Sequence, residues 1–283
     1  MKFELQVSPV DLDLTLGCGQ TFRWRRNPDG SWSGVLGDQS VCLKQNGPRI
    51  MVDASPGGRS IREPVLELLR ACDDIDKIQR RLRIDPVLAR GMRKMKGLRI
   101  VKLDEWECLV SYVLATYANI PRITRMVNAL AANYGSRIAR DVYSFPNRDQ
   151  LSKATAKELT RLGLGYRANY ITELCDLVDE QKLHSLSKTS YEGLRRKLIE
   201  LPGVGDKVAD CVSLFGFGKL ESFPIDIWME RALARLYRQK GSYKALRGFA
   251  TQRFGEYAGY AQEYLYYNER MHARKQECAF SEQ

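Results

Sequence analysis

Lys207 stands two residues past Gly205 in the segment LPGVGDKVADC, Leu201 to Cys211, and a lone carboxylate, Asp226, follows in FPIDIW. An amine and a carboxylate so spaced suit chemistry at a sugar carbon. The amine must be partly neutral to attack, and the positive end of its own helix, with desolvation in a cleft, favours the neutral form and allows a Schiff base. The plainer alternative is a surface lysine touching a phosphate. Asp226 lies after Pro224 and just before IWMERALARLY, the place of an N-cap. Capping accounts for it, but if its helix folds back beside Lys207 the same carboxylate stabilises a sugar turning cationic. Cys211 falls four residues after Lys207, on the same helix face, and either lines a pocket or packs in the core.

These residues need a scaffold. The Pro-Gly-Val-Gly turn between two amphipathic segments predicts a helix-hairpin-helix near residues 190–216, with the N–H groups around Gly203 and Gly205 turned to an anion such as a phosphate. From residue 104 onward helical periodicity predicts segments at 105–116, 121–134, 155–162, 166–178, 190–200, 206–215, 227–239 and 255–270. The front reads differently. Leu12, Leu14 and Leu16 alternate, as do Val41 and Leu43, while NPDG at 27–30 and Asn46-Gly47 mark hairpin turns. Residues 63–83 look helical, and RGMRKMKGLR at 90–99 looks like a solvated charged passage rather than a phosphate site. The expectation is an α+β chain: an N-terminal twisted antiparallel β-sheet domain with terminal helices, 1–103, then an all-helical domain, 104–283.

Composition narrows the function classes. The 283 residues carry 45 Lys plus Arg against 34 Asp plus Glu, a net +11 that suits a polyanionic partner. Seven cysteines are spread without a close pair, which argues against a disulfide framework and against a zinc or iron-sulfur site, and so for a reducing interior. No apolar run is long enough to cross a bilayer and the first residues mix charge into every short apolar run. An intracellular protein is expected, of the cytoplasm or, in a eukaryote, the nucleus.

With the motifs in view, the chain resembles the 8-oxoguanine DNA glycosylase/AP lyase family of the helix-hairpin-helix superfamily. The resemblance runs over almost the whole length: LGCGQTFRWRR and SWSGVLGDQ, then ECLVSYVLAT, IPRITRMVNAL and LGLGYRANYI, then LPGVGDKVADC with the Asp226 segment, and last YAGYAQEYLYY. It implies a monomer acting without cofactor or metal on double-stranded DNA containing oxidised guanine. Lys207 matches the nucleophile that displaces the damaged base, and Asp226 the carboxylate that supports this step. The resulting Schiff base would permit β-elimination of the 3′ phosphate.

The resemblance also implies how a flipped-out base is read. Gly19 matches the glycine whose carbonyl accepts the N–H that oxidation adds; otherwise it is a turn glycine. Gln262 matches a residue bonding the pairing edge, and Tyr266 the aromatic that stacks on the lesion against Cys211, although a core stripe would look the same. Arg122 and Arg167 match arginines that read the opposite cytosine, with surface salt bridges as the alternative. Asn119 matches a nearby asparagine. Two positions depart from the family: Tyr117 stands where an asparagine commonly fills the gap left by the base, and Trp228 where many members have histidine beside the phosphate. The rival readings are a non-catalytic helix-hairpin-helix DNA-binding protein and a glycosylase for a different damaged base. Of these, the endonuclease III type usually carries a four-cysteine cluster, and Cys278 is isolated in the sequence.

Overall fold

A computed structural model describes residues 1–56 and 60–281, with side chains as far as Ala273. Five strands form one antiparallel sheet in the order β1-β5-β4-β3-β2: β1 Lys2–Gln6, β2 Arg25–Arg26, β3 Trp32–Leu36, β4 Gln39–Asn46 and β5 Arg49–Ser55. Alternation does its work in the longest pair, where Val41 and Leu43 of β4 and Ile50, Val52 and Ala54 of β5 all turn inward. The β4–β5 turn centres on Gly47-Pro48, because Asn46 is still paired to Arg49. It lies one residue later than expected.

The alternating leucines near residue 14 are not a strand. They form helix α1 (Leu12–Gly17), whose cap Asp11 accepts the Leu14 N–H and whose Leu12, Thr15 and Leu16 are buried at helical spacing. Period two and period four coincide over so short a stretch. The expected helix at 63–83 is two: α2 (Arg62–Leu68) and α3 (Ile75–Leu82), parted where Arg70 takes φ 45° and pairs with Asp73 at 2.7 Å, after which Asp74 caps α3. Helix α4 (Pro86–Met92) leads into the basic passage. That passage is only partly a solvated face: Arg93, Lys94 and Lys96 are exposed, but Met92, Met95 and Leu98 are buried. Arg99 is buried with them and bonds the carbonyls of Pro9 at 2.8 Å and Arg70 at 2.6 Å.

The helical part follows as α5 (Glu105–Leu114), α6 (Ile120–Tyr134), a small hairpin β6 (Arg137–Ala139) and β7 (Val142–Tyr143), α7 (Arg148–Leu151), α8 (Ala156–Arg161), α9 (Arg167–Leu177) and α10 (Glu180–Ser185). Then come α11 (Tyr191–Ile199), α12 (Asp206–Cys211) with a wider continuing turn at Val212–Gly216, α13 (Ile227–Tyr237), α14 (Tyr243–Phe254) and α15 (Ala258–Ser281). Helix α14 has no counterpart among the expected segments: only Leu246, Ala250 and Phe254 are buried on it, a thin apolar stripe in a basic sequence. One continuous hydrophobic cluster runs from Leu5 in the sheet to Leu265 in α15, so sheet and helices share a core. Among the described residues no helix is long and apolar enough to cross a membrane.

Candidate active site

The hairpin is built from local contacts. Helix α11 ends at Ile199, the Leu201 and Val204 amides bond back to Leu198 and Leu201 at 3.1 Å each, and Gly203 turns the chain at φ +75°. A Cβ there would lie 2.8 Å from the Tyr170 ring and 3.0 Å from Val113, so glycine is required by conformation and by space. Helix α12 then starts at Gly205 with no side chain capping it. The two hairpin helices are locked beneath the surface by Asp210, which is fully buried and accepts from Tyr191 at 2.6 Å, Tyr243 at 2.5 Å and Arg195 at 3.0 Å. Arg195 also pairs with Asp206. Nothing in the sequence singles out Asp210, because an aspartate near a helix start reads as a surface residue.

Lys207 projects from the first turn of α12 over the ring of Tyr112 in α5, its Nζ 5.2 Å from the ring centre. Tyr112 is buried, stacks on Phe215 at 5.4 Å and donates its hydroxyl to the Gln20 carbonyl at 3.0 Å, so the bed under the amine is also the anchor of the Gly19 turn. Cys211 sits one turn beyond Lys207 and is buried; burial pushes its thiol up to about 12, with the Lys207 ammonium pulling the other way. It is a neutral thiol in the pocket wall.

Asp226 caps α13 through one oxygen: Oδ1 accepts both the Trp228 and the Met229 N–H at 3.0 Å. Its charge is felt by Cys211 on α12 and by Glu263 and Tyr266 on α15. The start of α13 therefore faces Lys207's helix and the last helix together. Trp228 is half-buried, with the Arg231 guanidinium 5.2 Å over its ring.

The Gly19 turn comes from the opposite end of the chain. Gly19 has φ +104°, and a Cβ would meet Ile120 at 2.7 Å and Arg270 at 3.0 Å. Gln20 pins the turn, donating to Thr15 O at 3.1 Å and Arg99 O at 2.9 Å while accepting from Val101 N at 2.9 Å. Arg270 of α15 bonds the Cys18 carbonyl and lies 5.4 Å over the ring of Tyr266. Gln262 is buried, and its Oε1 has no partner among the described residues. The Gly19 turn and Tyr266 thus meet at Arg270, while Cys211 and Tyr266 both feel the charge of Asp226.

A second group forms the rim. Tyr117, Tyr166, Tyr170, Gly203 and Gly205 line an open cleft of about 590 Å3. Tyr117 is 93% exposed and holds φ 48°, a left-handed conformation unusual for tyrosine. Arg167 departs from both readings the sequence allowed, for it is neither free toward a base nor in a surface salt bridge. It is 1% exposed, its Nε and Nη2 bond the Thr116 carbonyl, and its guanidinium lies 4.5 Å over Tyr166. In this state it holds the turn that presents Tyr117. Arg122 is exposed close by, and Asn119 accepts its N–H at 3.0 Å as the cap of α6. Among the described residues no three His, Cys, Asp or Glu side chains gather as metal ligands, and the side chain of Cys278 lies outside the described residues.

Residues 2–109 match the family described as 8-oxoguanine DNA glycosylase, N-terminal domain. The N-glycosylase/DNA lyase OGG1 of Arabidopsis thaliana is 30% identical over 93% of this chain and 78% of its own length. The N-glycosylase/DNA lyase of Saccharomyces cerevisiae is 33% identical over 95% of this chain and 85% of its own. The chain belongs to the 8-oxoguanine DNA glycosylase/AP lyase family. Its fold also superposes on the solved Clostridium acetobutylicum 8-oxoguanine glycosylase/lyase in complex with double-stranded DNA containing cytosine opposite 8-oxoG, with TM-score 0.89, 27% identity and coverage of 96% and 98% of the two chains. A sheet followed by a helical body is thus this family's architecture.

Proposed function

We propose that this chain excises 8-oxoguanine from duplex DNA with Lys207 as nucleophile and Asp226 as its electrostatic partner. As a family member it is a DNA glycosylase and AP lyase. The observation that carries the residue assignment is the meeting of two helix starts: Lys207 on α12 and Asp226 on α13 both lie within electrostatic reach of the buried Cys211. The rim holds the backbone, with the amides at Gly203 and Gly205 facing phosphate and Tyr117 filling the gap in the stack. Gly19 and Gln262 bond the flipped base, and Tyr266 stacks on it opposite Cys211.

The Lys207 amine attacks C1′ as the C1′–N bond breaks and the base leaves with the electron pair, taking up a proton. Asp226 stabilises the cationic sugar that develops between. Loss of the amine protons and ring opening give a Schiff base, which acidifies the 2′ position; removal of that proton expels the 3′ phosphate. Arg122, Asn119 and a released Arg167 read the opposite cytosine, Trp228 lies along the backbone, and one chain suffices for all of it.

Borohydride trapping on duplexes carrying 8-oxoguanine opposite each normal base tests the assignment. A covalent adduct is expected with the unaltered chain, strongest opposite cytosine, and none with Lys207→Gln, whose excision should drop by roughly a thousandfold or more. An adduct of undiminished yield with Lys207→Gln would end the nucleophile assignment.

A further inference from the structure

Next to Gln262, one of the residues assigned above to the flipped base, stands an ionisable group with no place in the mechanism above. Glu263 follows Gln262 on α15, is 3% exposed, and its Oε2 has no hydrogen-bond partner among the described residues. A buried polar atom left without a partner is costly, and in a binding site it marks where a ligand atom completes the bond. The surroundings locate that atom. Cys18, which precedes Gly19, lies within electrostatic reach of the carboxyl group, and Tyr266 stands one turn further along the same helix face. Glu263 therefore sits where α15 meets the Gly19 turn. In the oxidised base N7 and C8 are adjacent, so a wall that meets N7–H at Gly19 meets the C8 oxygen next to it.

We propose that Glu263 is a specificity-determining residue that donates a hydrogen bond to the C8 carbonyl of the flipped base. The inference rests on the 8-oxoguanine reading given above. Gly19 would report the proton gained at N7, and Glu263 the oxygen gained at C8; guanine, with a C–H at C8, leaves the donor unbonded. Donation requires the carboxyl proton. Burial pushes the Glu263 carboxyl up to about 8, so the proton is held near neutrality and lost as pH rises through that value. The titratable groups facing it are Cys18 from the Gly19 turn, Tyr112 from α5, Cys211 from α12, Asp226 from α13, and Tyr266 and Arg270 from α15; of these Arg270 favours the ionised form and Asp226 opposes it.

The test compares single-turnover excision of 8-oxoguanine by the unaltered chain, Glu263→Gln and Glu263→Leu. Each rate is divided by the same protein's rate of borohydride trapping on a preformed abasic duplex, so that misfolding registers in both. Glutamine keeps a donor at every pH, whereas leucine keeps the volume and loses the bond. Normalised excision should survive in Glu263→Gln within a few-fold and fall at least about tenfold in Glu263→Leu. Above pH 8 the unaltered chain should slow relative to Glu263→Gln, a change that a merely structural role would not produce. Equal normalised rates for the unaltered chain and Glu263→Leu, or a ratio to Glu263→Gln that stays flat through pH 8, would overturn the proposal while leaving the glycosylase reading intact. Failure of the unaltered chain to excise 8-oxoguanine would instead remove that reading, and this proposal with it.

Discussion

Two helix starts meet at the site and are finished in opposite ways. Helix α12 begins at Gly205, exposed and with no side chain on its first amides, whereas α13 begins at Asp226, whose Oδ1 takes two N–H groups for itself. The first start is left open for a ligand's negative charge. The second has supplied its own, and in doing so fixes a carboxylate at a set place and angle. On the function proposed above, one backbone device serves as a socket for phosphate and as a mount for a catalytic anion, and the residue at the cap position decides which.

The comparison can be broken most severely from beneath. Asp210→Ala leaves the donors of Tyr191, Tyr243 and Arg195 without their acceptor under the open start, and should cost about 3 kcal/mol or more of stability by thermal or denaturant unfolding. Asp226 separates mounting from charge. Asparagine caps as well as aspartate, so Asp226→Asn should melt near the unaltered protein yet excise roughly a hundredfold more slowly, whereas Asp226→Ala should lose about 1 kcal/mol in addition. At the hairpin, Gly203→Ala meets both a left-handed φ and the Tyr170 ring and should cost about 2 kcal/mol. The smallest effect on unfolding belongs to Gly205→Ala, whose methyl group meets nothing within 4 Å among the described residues. It should melt almost unchanged but bind duplex DNA several-fold more weakly, because the methyl group points into the socket.

The open start and its neighbour were legible in the sequence because their signals are local. Pro-Gly-Val-Gly, Lys207 in the first turn, and an aspartate after Pro224 each carry their meaning within a few residues. The sheet was legible for the same reason, through alternation at Val41, Leu43, Ile50 and Val52. Leu12, Leu14 and Leu16 misled because three residues cannot separate a strand from one turn of helix, and only the cap at Asp11 decides between them. What stayed hidden is polar and buried. Gln20, Tyr112 and Asp210 owe their places to partners that the fold brings together from other segments, as in the Tyr112 hydroxyl on Gln20, Glu263 is buried with one oxygen unpartnered among the described residues, and a polar residue read in isolation points to solvent. Arg167 shows the same limit from the other side: its motif identifies the residue, but not that the Thr116 carbonyl already occupies its guanidinium.

The bond from Arg270 to the Cys18 carbonyl joins residues separated by 252 positions. Contacts that close so large a loop form late, while the grip on phosphate proposed for the hairpin is made by neighbours in sequence. A partly folded or fraying chain is thus expected to hold DNA before it can tell one base from another, and its fidelity as a reader depends on docking a single helix against the turn at Gly19.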